Sequence, residues 1–124
     1  MEITKENIKD FKNMYGKENI IILVHATWCG ACQNFKPTWD KFTENFNKDK
    51  NSKKVKVLQI EDAQLQSTKR NKVIKDLMSN FQGYPTVFYI NKNKDIDMLI
   101  GSDKTIRQLK VKMNKFFKFN KKNN

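Results

Sequence analysis

The sequence predicts an α/β domain: a central mixed sheet of about four strands flanked by helices on both faces. Three patterns carry that prediction. A β-branched apolar run, Ile20-Ile21-Ile22-Leu23-Val24, has the character of a buried strand and leads into a helix-type pattern beyond Trp28. A second apolar run, Val55 to Ile60, follows that helix, and a helical crossover joins strands that lie parallel. Two more runs, Thr86 to Ile90 and Ile96 to Ile100, flank the polar stretch Asn91 to Asp95, the pattern of an antiparallel hairpin.

At 124 residues the chain is long enough for one self-sufficient core. Residues 1–119 are expected to form it, with 120–124 a frayed basic tail. The longest apolar run is about seven residues at most, against roughly 20 needed to span a bilayer. Met1 to Lys5 carries no signal-peptide core, so the expected location is the cytoplasm, or a virion or infected-cell cytoplasm if the source is viral. The net charge of +12 raises the question of an anionic partner, but 23 of the 25 basic residues are lysines. Only Arg70 and Arg107 offer the planar fork that reads bases and clamps phosphates. Lysines spread along every segment, among many asparagines, describe a solvated surface better than a nucleic-acid face.

Thr4 is placed to cap a first helix on which Ile8, Phe11 and Tyr15 share a face until Gly16. The first strand ends near His25. The second helix then carries Phe35, Trp39, Phe42 and Phe46 at a spacing that buries one side, with Pro37 expected to kink it because proline has no amide to bond back to Gln33. Glu61 and Asp62 end the second strand. From Ser67 a third, long helical pattern places Val73, Ile74, Leu77, Met78 and Phe81 together, and Gly83 breaks it. Ser102 or Asp103 is expected to cap a last helix with the stripe Ile106, Leu109, Met113 and Phe116.

Both cysteines fall in Trp28-Cys29-Gly30-Ala31-Cys32, at the junction of the first strand and the second helix. The amides and dipole of a helix N-terminus stabilise a thiolate over a thiol, so Cys29 is the expected attacking sulfur. Cys32, one helical turn on, is close enough to form a disulfide with it and so to resolve a mixed disulfide. Gly30 removes bulk where a partner's sulfur must approach. Two cysteines and one histidine are too few for a structural zinc site unless a dimer shares the ion. A structural disulfide of a secreted domain is the other alternative.

The order helix, strand, Cys-x-x-Cys helix, strand, helix, X-Pro, hairpin, helix resembles the thioredoxin fold. W-C-G-A-C is similar to the active site of thioredoxins and protein disulfide isomerase domains. Pro37, five residues after Cys32, resembles their helix-kinking proline, and Gly83-Tyr84-Pro85-Thr86 resembles their cis-proline loop with an isomerase-type leaning. The resemblance implies that Tyr84, ahead of a cis Pro85, presents its backbone to an extended peptide lying beside Cys29, making Tyr84 and Pro85 substrate contacts.

Against the family pattern, Leu23 stands where a buried acid usually assists the resolving thiol, and Gln59 where its lysine partner is usual. Losing both together is consistent, since an unpaired buried lysine is costly. His25 occupies a place usually held by an aromatic; packing is its ordinary role, and tuning of the thiolate or proton transfer the alternative. Ala31 restores an amide relative to the thioredoxin proline and lacks the cation of the isomerase histidine. That predicts a potential between about −270 mV for thioredoxin and about −180 mV for the isomerase.

The resemblance implies a thiol-disulfide oxidoreductase acting on protein thiols or disulfides, needing no cofactor or metal beyond the Cys29–Cys32 disulfide, and recycled by a reductase or oxidase. The rival expectation is a thioredoxin-fold binding or chaperone-like module with slow or no redox turnover, favoured by Leu23, Gln59 and the long third helix.

Overall fold

The computed structural model describes residues 1–119; the stretch 120–124, expected to fray, lies outside the described residues. Its elements are α1 (Ile8–Met14), β1 (Asn19–His25), α2 (Gly30–Asn47), a 3-10 turn (Ser52–Lys54), β2 (Val55–Glu61), α3 (Asp62–Ser67), α4 (Lys72–Asn80), β3 (Thr86–Ile90), β4 (Ile96–Ile100) and α5 (Ile106–Phe116). The strands form one mixed sheet in the order β2-β1-β3-β4. β1 is parallel to β2 and antiparallel to β3, and β3 pairs with β4 as a hairpin.

Successive side chains of a strand point to opposite faces, so the central strand β1 supplies two cores. Ile20, Ile22 and Val24 pack with Phe11 of α1, Leu65 of α3 and Ile74 and Leu77 of α4. Ile21 and Leu23 pack on the other face with Phe35, Trp39 and Phe42 of α2 and Leu109 and Met113 of α5. Helices thus cover both faces. Every residue from Ile20 to Val24 is at most 1% exposed, which is why the run shows no apolar–polar alternation. With each such side chain contributing about 1.5–3 kcal/mol, β1 is a firm base for the segment that leaves its C-terminal end.

Several local expectations are corrected. Thr4 does not cap α1; its amide donates to Asn7 Oδ1 at 2.7 Å. The chain ahead of it is extended, with Glu2 bridged in parallel to Gln59 and the Ile3 amide donating to the Gln59 carbonyl at 2.7 Å. This segment covers the outer edge of β2 and buries Ile3 completely.

The helix expected from Ser67 begins only at Lys72, as α4, and a separate short helix, α3, lies ahead of it. α3 starts directly after β2, and residues 68–71 separate it from α4. Thr68 Oγ1 donates to the Gln64 carbonyl at 2.6 Å, and Asn71 Oδ1 accepts from the Val73 and Ile74 amides to begin α4. The cap of α5 is Thr105, not Ser102 or Asp103, in a reciprocal capping box with Gln108. Pro37 lies inside α2, which continues through it to Asn47.

Candidate active site

The C-terminal end of β1 and the start of β3 meet at the pair Val24 and Thr86. Antiparallel pairing there brings residues 26–29 beside residues 83–85. The Cys29 thiol points at the Tyr84 carbonyl, Sγ to O 3.9 Å, across a separation of 55 residues. The Tyr84–Pro85 peptide bond is cis, and Pro85 is buried.

Cys29 is the N-cap of α2, and its sulfur accepts from the Cys32 amide at 3.3 Å. Burial pushes the Cys29 thiol up, but bonds from the Cys32 thiol and from the Cys32 and Ala31 amides outweigh it, and the pKa lies below the ordinary cysteine value. No acidic residue stands in the first turn of α2 to oppose the anion. Cys32 is 5% exposed. Burial first, and then its bond to Cys29, push its thiol up to about 11, against a single opposing amide from Ala26. One partly accessible acidic thiol therefore sits above one buried weakly acidic thiol, and neither is in a disulfide.

Around the pair, a Cβ at Gly30 would meet nothing within 4 Å, so no neighbour within the protein demands a glycine there. Ala31 contributes its amide to the Cys29 sulfur. Trp28 is 68% exposed and stands edge-on to Tyr84, centroids 5.4 Å apart, while Tyr84 leans on Phe81 at 4.8 Å.

His25 is placed at the end of β1 with its Nε2 buried, 4.0 Å from Glu2 Oε1 and without a hydrogen-bond partner among the described residues. Burial lowers its pKa, with Glu2 opposing. The charges that bear on it are Glu2, Lys36, Glu61 and Asp40, none of them a cysteine. Leu23 pairs with Gln59 in the β1–β2 register. In place of a buried acid and lysine, Gln59 Oε1 accepts from Trp39 Nε1 at 2.9 Å and from Lys36 Nζ at 3.3 Å, and Gln59 Nε2 donates to Glu2.

Sequence reasoning missed the carboxylate pair Glu61-Asp62, which it treated only as the end of a strand. Glu61 Oε2 accepts from the Thr27 amide at 3.1 Å, while Glu61 Oε1 caps α3 through the Ala63 amide at 2.8 Å. Asp62 Oδ2 accepts from Trp28 Nε1 at 3.4 Å, and Asp62 Oδ1 accepts from the Tyr84 hydroxyl. The Tyr84 bond is the main reason that the Asp62 carboxyl lies below its usual pKa. Nothing local links residue 62 to residues 28 and 84; two adjacent acids at a strand end are the only trace in the sequence.

Among the described residues no three His, Cys, Asp or Glu side chains are grouped to hold a metal ion. Among the same residues, no helix is long and apolar enough to cross a membrane.

The sheet order and the helices on both its faces define the class: this is a thioredoxin-fold domain. The crystal structure of a reduced Schistosoma mansoni thioredoxin pre-protein has the same fold, with a TM-score of 0.65 at 18% identity over 94% of this chain and 96% of that one. The first thioredoxin domain of mouse protein disulfide-isomerase A4 gives 0.64 at 19% identity, over 92% of this chain and 72% of that one. The thioredoxin family model matches residues 2–115, and the chain belongs to the thioredoxin family. In sequence it is similar to a Schizosaccharomyces pombe protein named as a protein disulfide-isomerase, 23% identical over 103 residues. That match takes in 82% of this chain but only 18% of the relative's length.

Proposed function

We propose that this protein is a thiol–disulfide oxidoreductase that acts on protein disulfides or dithiols through Cys29 and Cys32. One observation carries the proposal: the two thiols are driven in opposite directions, Cys29 down by the amides at the start of α2 and by the Cys32 thiol, Cys32 up by burial. A low-pKa sulfur at the surface is suited to attack, and a protonated one beneath it does not compete for the substrate.

In the forward direction the Cys29 thiolate attacks one sulfur of a substrate disulfide. The substrate S–S bond breaks, its leaving sulfur takes up a proton, and a Cys29–substrate mixed disulfide forms. Cys32 then loses its proton and attacks the Cys29 sulfur. The mixed disulfide breaks, the second substrate thiol leaves, and two electrons have passed from the Cys29–Cys32 dithiol to the substrate. Run backwards, the same steps oxidise a substrate dithiol. No cofactor takes part, and a recycling reductase or oxidase restores the pair. Tyr84 and Pro85 are the proposed peptide contacts, with Trp28 as the facing wall and Gly30 and Ala31 leaving the approach to Cys29 open. No step is assigned to His25, whose charged neighbours lie along the β2 side.

A second reading, a thioredoxin-fold binding module with slow or no turnover, is favoured by the pairing of Leu23 with Gln59, which leaves no carboxylate of β1 beneath Cys32. Disulfide reduction of insulin with dithiothreitol as electron donor separates the two. The expected results are catalytic turnover by the wild type, none by Cys29→Ser, and stable mixed disulfides trapped by Cys32→Ser. Full activity in Cys29→Ser would overturn the assignment of Cys29, and no turnover in the wild type would favour the binding module.

A further inference from the structure

Residues 27, 28 and 84 meet at the dipeptide where β2 passes into α3, and they meet there on carboxylate oxygens. Glu61 holds the Thr27 amide. Asp62 takes the Trp28 indole N–H on one oxygen at 3.4 Å and the Tyr84 hydroxyl on the other, which also accepts from Gln66 Nε2 at 3.4 Å. Those rings stand at 87° to each other, and the backbone carbonyl of Tyr84 is the one that faces Cys29 Sγ. We propose that Asp62 is a positioning residue that fixes the surface beside Cys29, tying the Trp28 ring and the Tyr84 ring to one carboxylate. The proposal rests on the redox reading above and names the residue that shapes how a protein substrate is held.

The chemistry of the side chain fits the task. An ionised carboxylate is acceptor-only and has two oxygens, so it serves two donors at once; an asparagine has one acceptor oxygen, and an alanine none. The indole N–H and the phenol are the matching donors. Trp28 is 68% exposed, so its ring is held by very little of its own burial. Tyr84 does rest on Phe81, but that contact restrains the ring and not the distance to Trp28. With Asp62 gone, the direct contact left between the two rings among the described residues is their edge-on approach at 5.4 Å. A surface that is no longer preorganised must be ordered by the substrate, and that cost falls on binding.

Two measurements on Asp62→Ala and Asp62→Asn test this. In NMR spectra of the reduced protein, the Trp28 indole N–H signal should shift and exchange faster with solvent in Asp62→Ala, a readout that needs no activity. In insulin reduction, KM should rise about tenfold in Asp62→Ala with a smaller change in kcat, the loss that goes with one net hydrogen bond to a charged group. Asp62→Asn, which keeps one acceptor, should fall between it and wild type. Tyr84→Phe added to Asp62→Ala should raise KM little further, because both remove the same bond. An unmoved indole signal overturns the clamp. A moved signal with wild-type KM, or fully additive effects of Asp62→Ala and Tyr84→Phe, overturns its part in substrate binding. If the wild type reduces no disulfide, the redox reading fails, and the indole signal alone decides whether Asp62 ties the two rings.

Discussion

Resolution of the mixed disulfide should depend more steeply on pH than the initial attack. Burial and the bond to Cys29 push the Cys32 thiol up to about 11, a value at which about one molecule in 10,000 is ionised at pH 7. When Cys29 is tied up in the mixed disulfide its contribution disappears, leaving burial, the larger cause, against the one Ala26 amide. Burial still holds the thiol up, so only a small fraction of Cys32 is thiolate at pH 7. An aromatic disulfide that releases a coloured thiolate separates the two steps in a stopped-flow trace: one release when Cys29 attacks, a second when Cys32 resolves. The second phase should accelerate by up to about tenfold between pH 7 and 8, since the thiolate is the attacking species and the thiol is raised. The first phase should level off at lower pH, because the Cys29 pKa lies below the ordinary value. A second phase that is flat over that interval would mean that another group takes the Cys32 proton, and would refute burial as the control of this step.

The remaining expectations concern the surroundings of the pair. Gln59→Leu strips the buried Trp39 indole of its acceptor, and an unsatisfied buried donor costs about 1–3 kcal/mol, read as a lower denaturation midpoint. In a Trp39→Phe background the donor is gone and the same substitution should cost much less; equal costs in both backgrounds would remove the Gln59–Trp39 bond from the account. For His25 the folded pKa lies below the unfolded value of about 6.5, so the unfolded chain binds the extra proton. The stability that depends on neutral His25 is therefore present above about 6.5 and lost as pH falls toward its lowered pKa, and His25→Phe should lose less stability than wild type between pH 7 and 5. Parallel unfolding curves across that range would show that His25 does not titrate on unfolding. Equilibration with glutathione should place the Cys29–Cys32 couple between about −270 and −180 mV, and a value at or below the lower figure would defeat the inference drawn from Ala31.

The strands, the two-faced core and the place of Cys29 were legible in the sequence because each depends on near neighbours. Ile20 to Val24 announces a strand buried on both faces, while Gln59 as the partner of Leu23 came from the family pattern and the β1–β2 register fixes it. The helix boundaries were legible only in part. Thr105-Ile106-Arg107-Gln108 carries a capping-box signal that points past Ser102 and Asp103, and Asn71 marks the restart that divides the third helical stretch. At the last helix several candidate caps compete within a few residues, and local propensity ranks them poorly.

What the sequence by itself determined is which cysteine caps the helix: the amides that draw the Cys29 pKa down lie within three residues of it, so their effect is written into the local chain. The tertiary structure alone decided how deeply Cys32 is buried, that Glu2 lies against β2, and that Trp28 and Tyr84 share one carboxylate at Asp62. Those contacts join segments 22 to 57 residues apart, and they come together only after pairing on both sides of β1 has brought the ends of the strands side by side.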